Sequence, residues 1–144
     1  MERLGIGFSL HPDLEFLELT REIVENDADY FEINPEALWS SKEGKLVKNQ
    51  YHELFRELHE KSGKPFVAHG LAFSLGTPLD TPEEKARTEQ WVNRLLDDHA
   101  EFRFAWMTEH LGWTISEGPQ AVLPLPLPFT PEAVRTVSER MRLL

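Results

Sequence analysis

The 144-residue sequence predicts an α/β fold in which parallel strands alternate with helices. Short apolar runs typical of buried strands alternate with longer segments whose apolar residues recur at helical spacing. The strand-like runs start near Leu4, Tyr30, Phe66 and Arg103, so one strand and helix take roughly 30 residues, as βα units do. Alternation of this kind implies a parallel sheet with right-handed crossovers.

The first unit is predicted to contain a strand over residues 4–10 and a helix from Pro12 onward. Gly5 and Gly7 permit close backbone approach in the strand. The helix is expected to end near Asn26 and Asp27. Its apolar residues at helical spacing are Leu14, Phe16, Leu17, Leu19, Ile23 and Val24.

The second unit begins with a predicted strand over residues 30–34, which Pro35 ends. The following residues, to about Leu46, are expected to be irregular. A second helix then carries an apolar stripe and is predicted to end at Gly63, with His52 and His59 on its surface. The stripe consists of Tyr51, Leu54, Phe55 and Leu58.

The third strand runs from Pro65 to His69, and Gly70 lets the backbone turn directly afterwards. In the third helix, Thr81 is the predicted N-cap, Pro82 suits the first helical position and Glu84 completes a capping box. The expected buried face of this helix is formed by Trp91, Leu95 and Leu96.

The fourth strand is predicted over residues 103–107. The alternating leucines and prolines of residues 121–128 favour an extended packed segment and argue against a central strand. A last helix begins at Thr130-Pro131-Glu132, and its apolar stripe is predicted to contain Val134, Val137 and Met141.

The overall charge argues against several classes of partner. The chain carries 25 acidic and 15 basic residues, a net charge of −10, so neither nucleic acid nor an anionic membrane is an expected partner. The absence of cysteine excludes disulfides and thiolate metal sites and fits a cytoplasmic location. No apolar run reaches the ~18 residues of a membrane-spanning helix, so a soluble protein is expected.

Four βα units do not complete the most familiar fold of this kind. A doubly wound sheet could close over four strands, but the glycine-rich turn that marks its usual ligand site is absent. A TIM barrel needs eight units and ~250 residues. We therefore predict that residues 1–144 form the N-terminal (β/α)4 half of a TIM (β/α)8 barrel, either truncated or paired with another half. Such a half has two open sheet edges and an uncovered inner face.

Polar side chains gather at the predicted carboxyl ends of the strands, where barrel enzymes build their active sites. They are Ser9, His11, Glu32, Asn34, His69, Glu109 and His110. Imidazole and carboxylate together suit zinc, manganese or non-haem iron. Taken alone, His69 could equally be a hydrogen-bonded structural residue, and Glu32 and Asn34 could form a turn or cap a helix.

Several motifs occur in a fixed order along nearly the whole chain. They are Gly5-Ile6-Gly7, the segments 30–36, 67–71 and 74–76, Thr108-Glu109-His110-Leu111-Gly112-Trp113, residues 123–126 and Thr130-Pro131-Glu132-Ala133. Together they resemble the N-terminal half of the multinuclear non-haem iron enzyme family. That family includes the methanobactin-biosynthesis oxidase and related enzymes that modify cysteine residues of ribosomally made peptides.

The resemblance implies a xylose-isomerase-like TIM barrel with two or three iron ions at its carboxyl rim. It implies His69 as an iron ligand and Glu109 as a carboxylate ligand, with both side chains pointing into one pocket. Asn34 stands where the family often has a metal-binding histidine, and its amide oxygen is a weaker ligand. The remaining ligands of the family lie on strands five to eight, outside this sequence.

The implied activity is oxidation of peptide cysteine residues by O₂, with a peptide substrate and a partner protein that presents it. Because the second half of the site is missing, whether this chain is itself an enzyme stays open, and no catalytic residue is assigned. Two alternatives remain: a catalytically inactive half-barrel that forms a homodimer or binds a partner, and a metal-dependent isomerase or hydrolase using zinc, manganese or magnesium.

Overall fold

The computed structural model describes residues 5–114 and 124–144. Its centre is a four-stranded parallel sheet whose strands lie side by side in chain order. This arrangement confirms the predicted α/β class and is consistent with part of a TIM-like barrel. The sheet strands are β1 (Gly7–Leu10), β2 (Tyr30–Ile33), β5 (Phe66–Gly70) and β6 (Met107–Glu109). The four α-helices are α1 (Leu14–Leu19), α2 (Gln50–Ser62), α3 (Pro82–Phe102) and α4 (Pro131–Met141).

One face of the sheet is covered by helices and contains the core. Paired residues of neighbouring parallel strands point to the same face, and the pairing aligns Phe8 with Phe31 and Phe31 with Phe66. Phe31, Ile33 and Phe66 are fully buried and pack with Phe55 of α2 and Trp91 of α3. Each fully buried side chain of this size contributes roughly 1.5–3 kcal/mol through the hydrophobic effect.

The other face, which we call the open face, is lined by Ser9, Glu32, Val67, His69 and Thr108. Ser9 and Thr108 are exposed, whereas Val67 at the centre is buried. The edge strands β1 and β6 each pair on one side only within the described parts of the chain. Within the described residues, the exposed Ser9 and Thr108 and the two unpaired edges are consistent with part of a TIM-like barrel.

The first predicted helix ends where expected, at Asp27, but it is not one regular α-helix. After α1 the chain turns at Thr20, where Val24 N still bonds Thr20 O at 3.0 Å, and continues into a π-helical turn over Ile23–Asp27 closed by the bond from Ala28 N to Ile23 O (2.9 Å). Val24 is buried, but Leu14 and Leu19 are 65% and 79% exposed, so much of the predicted apolar face has no cover. Helices in proteins are stabilised mostly by packing of their apolar face. Here only some of the predicted apolar residues are packed.

The segment predicted to be irregular contains regular structure. A 3₁₀ turn over Pro35–Leu38 leads into an antiparallel hairpin of β3 (Trp39–Lys42) and β4 (Lys45–Lys48). The two turn residues, Glu43 and Gly44, have φ values of 51° and 74°. This is the left-handed pair that tight hairpins need, and it was missed because glutamate rarely occupies the first of these positions.

Helix α3 differs from the prediction in its capping box and in the burial of Leu96, and the strand that follows it starts later than predicted. Thr81 does cap it, accepting from Glu84 N at 3.1 Å. The side chain of Glu84 does not complete the capping box, because its Oε1 binds Arg87 and Arg140 at 2.7 Å each. Leu96 is 58% exposed, not buried. Arg103 caps the end of the helix with φ 51°, so β6 begins later than residue 103.

Two histidines predicted on the surface of α2 are placed differently. His52 is buried, with Nε2 2.9 Å from Asp98 Oδ1, and Asp98 Oδ2 accepts from Trp39 Nε1 at 2.6 Å. Arg94 also binds Asp98. His59 is half-buried and its ring lies against Phe66. The surface prediction is therefore wrong for His52, because its partner lies on α3, 46 residues away.

The leucine–proline segment is extended where the structure describes it. Residues 121–123 lie outside the described residues, and β8 (Leu125–Pro126) pairs antiparallel with β7 (Gly112–Trp113) as a two-stranded ribbon. In α4 the predicted stripe is mostly uncovered, since Val134 and Met141 are exposed and only Val137 contacts the core. Arg140 is the fully buried residue of this helix. Among the described helices, none combines the length and apolarity needed to cross a membrane.

Candidate metal-binding site

His69 lies at the carboxyl end of β5 and contacts one residue within β6 and one that directly follows it. Its Nδ1 is 2.7 Å from Thr108 Oγ1, and its Nε2 is 2.9 Å from Nε2 of His110. The pairing of His69 with Thr108 puts both on the open face. His69 and His110, two of the polar residues predicted at strand ends, are therefore in contact, a pairing that the sequence analysis did not predict.

The spacing of this pair suits coordination of a common ion. Imidazole nitrogens bind a divalent ion at ~2.0–2.1 Å, and two such ligands at a right angle are ~3 Å apart. The 2.9 Å separation between the Nε2 atoms matches that geometry. In the tautomer whose Nδ1–H donates to Thr108 Oγ1, Nε2 of His69 keeps the lone pair that ligation requires.

Glu109 is not placed beside His69. It pairs with Gly70, one position further along β5, so the sheet directs it to the opposite face. A Cβ added to Gly70 would lie 2.3 Å from Glu109 Oε2, which shows that the carboxyl group packs directly on that glycine. The expectation that His69 and Glu109 share one pocket is therefore not met by the register.

Glu109 instead forms an acidic pair with Glu36, a residue that the sequence analysis did not single out. Glu36 Oε1 accepts hydrogen bonds from Leu71 N, Ala72 N and Trp91 Nε1 at 2.8–3.1 Å. The Oε2 atoms of Glu36 and Glu109 are both buried and have no hydrogen-bond partner among the described residues. The sequence feature that could have indicated Glu36 is its position in the first turn after the end of β2.

Burial, with repulsion from Glu36 as the second cause, raises the pKa of Glu109 from 4.5 to about 8. Hydrogen bonds from the backbone of His110 and Phe73 oppose the shift. The carboxyl group is therefore mostly protonated at neutral pH without a cation. Coordination of a metal ion at Glu109 would have to release this proton.

This shift predicts how stability depends on pH in chelator-treated protein. Between pH 4.5 and about 8 the folded state binds more protons at Glu109 than the unfolded state, so the free energy of unfolding falls as pH rises through this range. Glu109→Gln should remove that decline. Urea denaturation at several pH values measures it, with the exposed Glu139→Gln as control. Parallel pH profiles of wild type and Glu109→Gln would contradict the assignment.

Asn34 caps a helical turn, which is the alternative to metal binding that the sequence left open for it. Its Oδ1 accepts from Ala37 N at 3.0 Å and caps the 3₁₀ turn that follows β2. The amide oxygen thus already has one partner. Ligation by Asn34 stays a prediction.

The loop after β5 is held by two arginines from different helices. Arg87 donates to Ala72 O and Phe73 O at 3.2 and 2.9 Å. Arg140 donates to Phe73 O and Thr77 O, and its guanidinium lies 4.4 Å from the centre of the Phe73 ring. Because α3 and α4 both bind this loop, the backbone next to His69 is fixed by tertiary contacts.

The donor atoms present fit a share of a metal site. The two imidazoles on the open face are groups that iron accepts, whereas the unpartnered Oε2 of Glu109 is directed to the other face of the sheet. The described residues contain no group of three or more acidic or histidine side chains arranged to hold one ion. A complete site therefore requires further ligands.

The chain is similar to one family of enzymes and to several bacterial proteins. The family model described as RiPP precursor modification enzyme MbnB/TglH/ChrH matches residues 3–144. A UPF0276 protein of Nitrosospira multiformis is 34% identical over 142 residues, which is 99% of this chain and 44% of that protein. One from Shewanella loihica is 35% identical over 98% of this chain and 45% of its own length. The chain thus spans less than half the length of these relatives.

Proposed function

Because the chain belongs to the RiPP precursor modification enzyme family MbnB/TglH/ChrH, we propose that it supplies half of an iron-dependent site that oxidises cysteine residues of a ribosomally made peptide. The observation that carries this proposal is the pair of imidazoles at the carboxyl rim, with Nε2 atoms 2.9 Å apart. The rim is where barrels place their chemistry.

His69 and His110 are the residues we assign to hold iron. Asn34 and Glu109 stay proposed ligands of the complete barrel, and Glu109 would have to turn its carboxyl group from Gly70 towards the open face to reach the same ion. Thr108 Oγ1 holds the ring of His69 through its 2.7 Å contact with Nδ1, and for His69 to ligate through Nε2 the proton of the ring must reside on Nδ1. For His110 to ligate, the proton on the ring must reside on Nδ1, so that both Nε2 lone pairs are available. Bound iron supplies a centre at which O₂ accepts electrons.

The residues of this chain contribute orientation and proton handling. The loop clamped by Arg87 and Arg140 keeps the end of β5 in place, which supports the rigid geometry that ligation needs. Glu109, protonated near neutral pH, can release a proton when a cation arrives. The electrons and protons removed from the peptide thiol pass to O₂, so no other oxidant is needed.

A cytoplasmic location and a partner protein that presents the peptide complete the proposal. A catalytically inactive half-barrel is the alternative, and it is favoured by one observation. The described residues bring together fewer than three ligands for one ion. Iron content separates the two functions, since the inactive form has no need of the metal.

The proposed activity can be tested by co-expressing the chain with a cysteine-containing precursor peptide in air. Mass spectrometry should show a change confined to the cysteine residues. A cysteine-to-serine peptide is the matched control and should be unmodified, as should the first peptide under nitrogen. An unmodified cysteine peptide, in cells where the chain is folded and contains iron, would overturn the proposal.

A further inference from the structure

The side chain of Glu36 holds the backbone that follows the His69 ligand. Its Oε1 accepts hydrogen bonds from Leu71 N at 3.1 Å and from Ala72 N at 2.8 Å. We propose that Glu36 is a positioning residue, which fixes His69 through these two backbone groups and does not itself bind the ion. The inference rests on the proposed function for the identity of the ion, whereas the hydrogen bonds can be tested in metal-free protein.

Leu71 and Ala72 are the first two residues beyond β5, which ends at Gly70. Amide groups that leave a sheet lose the hydrogen bonds of its ladder, and in the half-buried surroundings of these two residues they need another acceptor. Glu36 provides it, and a bond from an amide to a carboxylate is roughly twice as strong as one between neutral groups. The direction in which the chain leaves β5 is therefore fixed by Glu36.

Glu36 is itself held in place by the elements around it. It lies in the 3₁₀ turn over Pro35–Leu38, which follows β2 and is capped by Asn34. A third donor, Trp91 Nε1 on α3, binds the same Oε1 at 3.1 Å. Because β2 pairs with β5 in the sheet, the side chain connects the carboxyl ends of two neighbouring strands and anchors both to α3.

Arg87 complements Glu36 on the carbonyl side of the loop. It donates to the carbonyl oxygen of Ala72, whose amide group binds Glu36, so both backbone polar groups of this residue are bonded to side chains. A metal site needs its donor atoms within ~0.5 Å of the productive geometry. The Nε2 atoms of His69 and His110 are 2.9 Å apart, so release of the backbone just after His69 is expected to disturb the pair.

The competing role for Glu36 is that of a metal ligand, since its Oε2 is buried and has no hydrogen-bond partner among the described residues. Glutamine separates the two roles. Its amide oxygen can accept from Leu71 and Ala72 as the carboxylate does, but an amide is a weaker metal ligand. Glu36→Gln should therefore keep His69 in position, whereas Glu36→Met, which has a similar length and no oxygen, should not.

Hydrogen exchange of metal-free protein, followed by NMR, tests the contact itself. In the wild type the amide hydrogens of Leu71 and Ala72 should be protected although they lie beyond the strand. In Glu36→Met they should exchange at least about tenfold faster, the factor that corresponds to loss of a hydrogen bond to a charged group. Glu36→Gln should retain most of the protection. Unprotected amides in the wild type would overturn the proposal whether or not a variant folds.

Competition with an Fe(II) chelator under anaerobic conditions tests the consequence for the ligand. Glu36→Met should bind iron about 10–100-fold more weakly, the usual cost of losing a group that orients a ligand. Glu36→Gln should bind iron nearly as tightly as the wild type. Equal weakening in the two variants would overturn the proposal and make Glu36 a ligand.

Asp98→Asn is the matched control. Asp98 is another buried carboxylate that accepts from a tryptophan indole, and its partners His52, Arg94 and Trp39 lie outside the loop after β5. This variant should lose stability but keep its iron affinity. If it loses as much affinity as Glu36→Met, the effect is general destabilisation and the proposal is overturned. Wild-type protein that binds no iron would overturn the proposed function instead, while the exchange rates still decide whether Glu36 fixes the loop.

Discussion

Replacing His69 with alanine is expected to abolish iron retention. The variant loses one of the two imidazoles whose Nε2 atoms are 2.9 Å apart, and His110 alone cannot chelate. Loss of groups that merely orient ligands costs ~10–100-fold in metal affinity, so removal of a ligand should cost at least about 100-fold. Elemental analysis after anaerobic reconstitution with Fe(II) and desalting measures the effect.

His99→Ala is the matched control for this variant. His99 is an exposed histidine on α3, so its replacement removes the same chemical group away from the rim. Both variants should keep the helical circular dichroism of the wild type, because neither side chain belongs to the buried core. Equal iron content in the two variants, or wild-type protein that retains no iron, would refute the ligand assignment.

Replacing Asp98 with alanine should destabilise the fold by about 3–5 kcal/mol, the cost of removing one partner from a buried ionic group. Asp98 is fully buried and binds His52, Arg94 and the indole N–H of Trp39. The substitution leaves all three donors inside the protein without their acceptor. Since small domains are stable by only ~5–15 kcal/mol, the urea midpoint should fall sharply.

The neighbouring Asp97→Ala separates this effect from a loss of charge. Asp97 lies one residue away on α3, its side chain is 70% exposed, and its carboxylate is 3.5 Å from the same Arg94. An exposed pair of this kind contributes ~0–1 kcal/mol. If the two alanine variants unfold at similar urea concentrations, the buried network does not stabilise the protein as described.

The positions of the strands and helices could be predicted because their signals are local. The apolar run before His69 and the glycine after it identified β5, and Thr81 identified the start of α3. The hairpin was missed because its turn uses Glu43 in a conformation that favours glycine or asparagine. Apolar spacing predicted the end of the first helical segment but not the turn at Thr20 within it, and it does not reveal whether a partner covers Leu14 and Leu19.

The site was predicted in part, and the missing part depended on register. The sequence places His69 and Glu109 at strand ends, but which residues lie opposite each other is set by packing between strands. Pairing of His69 with Thr108 brings His110 to His69 and sends Glu109 towards Glu36. The buried contact between His52 and Asp98 could not be predicted from the sequence either, because it joins two helices and no local pattern shows which helices pack together.

The central claim is that His69 and His110 form a ligand pair at the carboxyl rim. Crystals of the iron-reconstituted protein, measured at the iron absorption edge, test it most directly. We predict an anomalous peak ~2.1 Å from the Nε2 atoms of both His69 and His110, a bond length typical of metal–imidazole coordination. Iron bound elsewhere, with these two nitrogens still hydrogen-bonded to each other, would contradict the account.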